Sequence, residues 1–197
     1  MAAWLTPAQH RTLIAAMDDT IPDDGTCPGA GSTGGADYVD GLLAAFTVDP
    51  PRIWAGGPFS GRRGGTAAFA DFLELSPWEE LAWRTRIEGS GGDRAREHLG
   101  AVRGWQAIYA DGLALLGDDF ADLDPDGRSA RLAATDDEFR ELLFVHACHA
   151  LYGDPVYGGN RDGAGWRGID YPGDVQPRGY TDAEVSLGTR FDPDLGR

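Results

Sequence analysis

Residues 135–173 read TDDEFRELLFVHACHALYGDPVYGGNRDGAGWRGIDYPG. The first half has helical spacing and the second has no period at all. Thr135-Asp136-Asp137-Glu138 is a capping box: an N-cap hydroxyl accepts the N3 amide, and the N3 acid reaches back. From Asp136 to Tyr152, the residues Phe139, Leu142, Leu143, His146, Ala147 and Ala150 recur at helical spacing and form one stripe. Tyr152 to Gly173 then holds four aromatics, seven glycines and three aspartates in 22 residues. Ordering such a segment costs conformational entropy, so packing must offset it. Two sources are open, and both can act at once. The segment folds back on the helices with Trp166 plugging the core, or its Tyr and Trp side chains anchor a partner, since they bring large area with few rotors.

The rest of the chain supports the helical reading. Thr6-Pro7-Ala8-Gln9 and Ser76-Pro77-Trp78-Glu79 are two further capping boxes, each with Pro at N1. A first helix is predicted over Pro7–Thr20, with Leu13, Ile14 and Met17 inward, stopping before Pro22. A second fits Ala36–Phe46, with Tyr38, Leu42, Leu43 and Phe46 inward. Residues 47–65 read as an irregular excursion, because Pro50-Pro51 forbids helix and the Gly pairs allow sharp turns. Helices are predicted over Thr66–Leu75 and Pro77–Ile87. A long amphipathic pattern spans Arg94–Leu116, through Leu99, Val102, Trp105, Ile108, Tyr109, Leu113 and Leu116. Gly100, Gly104 and Gly112 weaken it and point to a kink or close packing. Asp124-Pro125 starts a short helix to about Ala134. No convincing strand and no internal repeat appears. The expected fold is all-α: a single helical domain of six to seven helices with long Gly/Pro-rich loops, covering residues 1–173. An acidic, irregular tail follows over residues 174–197.

Composition removes several functions. A chain of 197 residues with 42% hydrophobic and 25% charged residues is ordinary globular material that folds without a metal or disulfide. Its 32 acidic and 17 basic residues, all Arg, leave a net charge of −15. A surface this negative repels phosphate backbones and anionic membranes. Without Lys there is no Schiff base, no pyridoxal-phosphate anchor and no phosphate-loop lysine. No apolar run is long enough to span a membrane. No export signal is visible, so a cytoplasmic location is expected, with periplasmic delivery by co-export with a partner as the alternative. Cys27 and Cys148 are the only cysteines, and they read as two free thiols in a reducing compartment.

Candidate chemistry is sparse. His146 and His149 lie at i and i+3 on a predicted helix, which would let both reach one ion. No second ligand pair completes a site, and His146 falls on the apolar stripe, so a hydrogen-bonded core histidine is the preferred reading. Asp122, Asp124, Asp126 and Gly127 imitate the start of a calcium loop, but its twelfth position is Ala133, where a bidentate Glu is needed. The glycine clusters follow no strand, and no Gly-x-Ser-x-Gly occurs. Asp18, Asp19, Asp23 and Asp24 cluster at a helix end, as a solvated face or part of an interface.

The segment after Tyr152 resembles the signature of the gluconate 2-dehydrogenase subunit 3 family. The matching residues are Gly153-Asp154-Pro155, Val156-Tyr157-Gly158-Gly159-Asn160-Arg161-Asp162, Gly165-Trp166-Arg167 and Tyr171-Pro172-Gly173. Leu5-Thr6-Pro7 with Leu13, Ile21-Pro22 with Asp24, and Ala36-Asp37-Tyr38-Val39-Asp40 resemble the family's N-terminus. Gly168 and Asp170 depart from it, standing where the family usually has a bulky apolar residue and Gly. The resemblance implies a small subunit without catalytic residues, metal or cofactor of its own. It implies a large partner of the glucose–methanol–choline oxidoreductase type, which holds FAD and oxidises a sugar, sugar acid or other alcohol. Asp154, Tyr157, Asn160, Arg161, Asp162, Trp166, Arg167 and Tyr171 are then expected to shape the loop or touch that partner. Asn160 and Asp162 are expected to bind backbone N–H groups, and Arg161 and Arg167 to meet partner carboxylates. Two alternatives remain open: a stand-alone metal-dependent enzyme using His146 and His149, and a scaffold with a non-flavin partner.

Overall fold

The structure, a computed structural model, describes residues 3–56 and 73–171. It is an all-α single domain. Seven α-helices occur among the described residues: α1 Pro7–Thr20, α2 Ala36–Leu43, α3 Pro77–Glu88, α4 Trp105–Leu116, α5 Pro125–Ala133, α6 Asp137–Tyr152 and α7 Ala164–Gly168. The only extended pairing there is an isolated bridge between Gly56 and Leu73. The helix predicted over residues 66–75 falls mostly outside the described residues, as does the tail at 174–197.

Local sequence signals place most helix starts. Thr6 and Ser76 form complete capping boxes with Gln9 and Glu79, and Asp124 caps α5 through the Gly127 amide. Each cap satisfies a backbone donor that the helix itself leaves open. The third box does not form, and the cap itself stands one residue later. Asp136, not Thr135, is the N-cap of α6 and accepts the Phe139 amide at 2.7 Å. Thr135 is buried and donates its hydroxyl to the Leu132 carbonyl, closing the turn after α5.

Two predicted helices are shorter than their periodicity suggested. The second ends at Leu43 and tightens into a 3-10 turn over Ala45–Thr47 before the chain enters Asp49-Pro50-Pro51. Its buried face is Ala36, Val39 and Leu43, while Tyr38, Leu42 and Phe46 are half-buried. The pattern from Arg94 becomes helix only at Trp105. Leu99, expected inward, is 91% exposed. The cause is Gly104, the N-cap of α4, which passes against the end of α3. A Cβ there would sit 2.3 Å from the Gly89 nitrogen, a contact no other residue type permits. Backbone proximity at this crossing decides the path over the apolar spacing.

The main core lies between α1, α2, α4 and α6. It buries Leu13, Met17, Val39, Leu43, Tyr109, Leu113, Leu116, Phe139, Leu143 and Leu151, with Phe120 from the turn before α5. A smaller cluster of Ala45, Ile53 and Ile87 packs beside it under α3. Trp105 touches both clusters. The acidic cluster at the end of α1 is spent on local structure. Asp18 accepts the Gly31 and Ser32 amides, Asp23 accepts Gly25, and Asp24 accepts Thr26 and Cys27. Asp19 forms an ion pair with Arg128 of α5. These carboxylates hold the 22–35 loop on the helices. The calcium-like stretch is likewise accounted for: Asp124 is the α5 cap, and Asp122 pairs with Arg11 at 2.8 Å.

Candidate interaction site

The segment after α6 is an ordered loop built from inside. Gly153 ends α6, and Asp154 accepts the Val156 amide at 2.8 Å to open a 3-10 turn over Pro155–Tyr157. Asn160 is the keystone. It is fully buried and takes the left-handed backbone conformation, at φ 44° and ψ 47°. Its amide nitrogen donates to the Gly153 carbonyl at 2.8 Å, and its amide oxygen accepts the Gly165 N–H at 2.8 Å. One side chain thus ties the entrance of the loop to α7 at its far end.

Close backbone packing completes the loop. A Cβ on Gly159 would lie 2.4 Å from the Ala150 carbonyl oxygen, and one on Gly165 only 1.9 Å from that of Leu151. Both glycines therefore press the loop onto the last turn of α6. They are filled by this chain's own backbone and leave no cradle for a phosphate.

The remaining motif residues divide by role. Arg161 donates to Asp37 of α2 at 2.7 Å, and the other oxygen of Asp37 meets His10 of α1 at 2.9 Å. Asp37 thus joins the loop to two helices; its exposed ion pair with Arg161 is worth under about 1 kcal/mol. Arg167 donates to the Asp162 carbonyl, so that guanidinium is engaged within the loop. Asp162 does not fix the turn through its carboxylate, as expected above. It is exposed, and its contribution is a left-handed backbone at φ 58°. Trp166 does not plug the core either. It is half-buried over the end of α6, with Nε1 donating to the Tyr152 carbonyl at 2.7 Å and its ring edge-on to Tyr171 at 5.3 Å. The buried position belongs to Gly165 instead.

Both departures from the family pattern are accommodated. Gly168 faces Cys27, where a Cβ would come within 2.8 Å of the Cys27 Cβ, so a bulky residue is excluded in this chain. Asp170 adopts φ 55°, a conformation that glycine takes more readily.

Outside this inner frame the loop displays apolar area. Tyr157 is 45% exposed, Ile169 54% and Tyr171 41%. Phe144, Val145 and Tyr152 continue the exposed surface along α6. Next to the loop is a cleft of about 480 Å³ lined by Tyr38, Trp54, Trp83, His149, Tyr152 and Tyr157. Burial, with the nearby charge of Tyr157 adding to it, pushes the Tyr38 phenol up to about 12. Burial also raises the thiols of Cys27 and Cys148, so neither is set up as a thiolate nucleophile.

The histidine pair is split by its surroundings. His146 is buried, 3.0 Å from the Tyr109 hydroxyl through Nδ1, stacked on the Tyr109 ring and edge-on to Trp105 at 4.7 Å. Burial first, and His149 second, hold its pKa down to about 3. His149 is exposed, with its ring 6.1 Å from that of His146. Among the described residues no three His, Cys, Asp or Glu side chains converge as a metal site would require. No helix among them is long and apolar enough to cross a membrane.

The long-range partners of these residues carry no local signal in the sequence. Asp37 was visible only as part of a motif, and nothing local links it to Arg161, 124 residues away. Asp40, which accepts the Trp4 and Leu5 amides, is another such residue.

An all-helical domain that devotes glycines, carboxylates and a buried Asn to holding one aromatic loop is the frame for comparison with known proteins. The family model described as gluconate 2-dehydrogenase subunit 3 matches residues 7–173. The chain belongs to the gluconate 2-dehydrogenase subunit 3 family. No curated protein and no solved structure matches it.

Proposed function

We propose that this chain is a non-catalytic small subunit that binds and stabilises a large FAD-dependent dehydrogenase of the glucose–methanol–choline type, acting on an alcohol, sugar or sugar acid. The observation that carries the reading is the division of labour in the 153–171 loop. Its polar groups at Asp154, Asn160, Arg161 and Trp166 are engaged within the chain, while Tyr157, Ile169 and Tyr171 expose apolar area. A loop ordered before binding loses less entropy on docking, which favours affinity. Family membership supports a larger dehydrogenase subunit as the partner. The flavin supplies hydride chemistry in that partner; this chain's residues position surface. Binding only the folded, flavin-loaded partner shifts it away from unfolded states by mass action.

The test is Trp166→Ala in the co-expressed complex. Losing the Nε1 bond and the Tyr171 contact loosens the loop's outer face while the core is untouched. Assembled complex is expected to fall about tenfold or more, with soluble free subunit changed by less than about twofold. Undiminished assembly would remove the loop as an anchor.

A further inference from the structure

A second surface lies away from the signature loop. Helix α3, the 89–104 segment and α4 enclose an open groove of about 920 Å³. Its walls are apolar: Trp78, Leu81, Val102, Trp105 and Ile108. Trp78 is 80% exposed on its rim. Four arginines line the same groove, with Glu138 as the one carboxylate among its described lining residues. Arg96 is neutralised by Glu88 and Asp93, and Arg103 by Asp111, Asp136 and Glu138. Arg86 and Arg94 make no ion pair among the described residues. Arg86 instead lies over Trp83 and Trp105, at 5.1 and 5.6 Å from the ring centres.

In a chain with 32 acidic residues and 17 arginines, Arg86 and Arg94 leave this groove positive charge that no carboxylate among the described residues meets. We infer that the groove is a second docking site, whose occupant is an acidic amphipathic helix of the partner subunit. Among the described residues the one lining carboxylate, Glu138, is engaged by Arg103, so charge complementary to Arg86 and Arg94 is expected from the partner. The apolar walls require apolar side chains beside that charge, as in helix-in-groove recognition. The volume stands at the upper end of small-ligand sites, and the groove is open along one side, which suits several side chains of one segment. A second copy of this chain is disfavoured by the like net charge of −15 on each. The inference rests on the subunit reading above and adds where, and by what chemistry, a further part of the partner is held.

The experiment uses the full chain, tagged and expressed in its native host, with p-benzoylphenylalanine replacing Trp78 in one variant and Tyr157 in another. After irradiation, the crosslinked peptides are sequenced by mass spectrometry. The Trp78 position is expected to capture a partner segment with net negative charge and apolar residues at helical spacing. Adding Arg94→Glu should cut that yield about tenfold and leave the Tyr157 crosslink unchanged. Arg94 has no ion-pair partner within the described chain, so this reversal leaves the fold intact, as the melting temperature of the free chain checks. The groove inference is overturned if Tyr157 captures the large subunit while Trp78 captures nothing, a neutral or basic segment, or a second copy. It is equally overturned if Arg94→Glu leaves the yield unaltered. If neither position captures a different chain, the subunit reading itself falls, and the groove inference with it.

Discussion

Replacing Asn160 with alanine is expected to destabilise the loop by about 3 to 7 kcal/mol and to abolish assembly with the partner. The estimate follows from what the side chain does. It is fully buried and makes two hydrogen bonds of 2.8 Å, to the Gly153 carbonyl and from the Gly165 amide. Its removal leaves both backbone groups unpaired, at about 1 to 3 kcal/mol each. Alanine must also adopt φ 44°, which costs roughly another 1 kcal/mol. Asn160→Gly separates these causes, since glycine tolerates the backbone and loses only the hydrogen bonds. Asn160→Asp keeps the acceptor for Gly165 but turns an oxygen toward the Gly153 carbonyl, so it should not rescue. The check is hydrogen exchange of the 153–171 amides together with complex yield. Wild-type-like protection in Asn160→Ala would show that the loop is held by other means.

Acidification supplies the second large effect. His146 has its pKa depressed to about 3 by burial, against an ordinary 6.5 in the unfolded chain. The folded protein therefore binds fewer protons than the unfolded one between these values. The stability this contributes is fully present above pH 6.5 and is lost as pH falls toward 3. Each pH unit in that window costs about 1.4 kcal/mol, or about 3 kcal/mol between pH 6.5 and 4.5. Charging the ring would place a cation among Tyr109, Trp105 and Tyr38, away from solvent. His146→Leu should be less stable at pH 7, because Tyr109 loses its partner, yet should show a flatter profile from pH 6.5 to 4.5. Urea midpoints across that range measure it. Parallel profiles for the two proteins would mean that His146 titrates normally.

Signals carried within four residues were legible from the sequence. The capping boxes at Thr6 and Ser76 and the Asp124 cap could be read directly, because a cap and its target amide are neighbours. The apolar stripe of α6 could be read because Phe139, Leu143, His146, Ala147 and Ala150 face one core. Competing local acceptors were harder: Thr135 and Asp136 are both good caps, and the buried environment of Thr135 selects Asp136. Periodicity misled over residues 94–104, where the backbone crossing at Gly104 outweighs the spacing of Leu99 and Val102. In the signature loop, the motif marked Asn160 and Arg161, but their partners could not be read. Gly153, Gly165 and Asp37 are brought to them only by the turns of the folded loop and the packing of α2. Trp166 shows the same limit: its large apolar area suggested a core plug, yet the last turn of α6 admits only the hydrogen atom of Gly165.

On the function proposed, this chain acts by holding a flavoprotein and performs no turnover itself. The direct measurement is oxidation of gluconate and related sugar acids, with an artificial electron acceptor, by the purified chain and by the complex captured through it. Background rates are expected for the chain alone. Activity is expected in the complex, together with a second, larger chain that carries the flavin absorbance. Robust oxidation by the isolated chain would contradict this function.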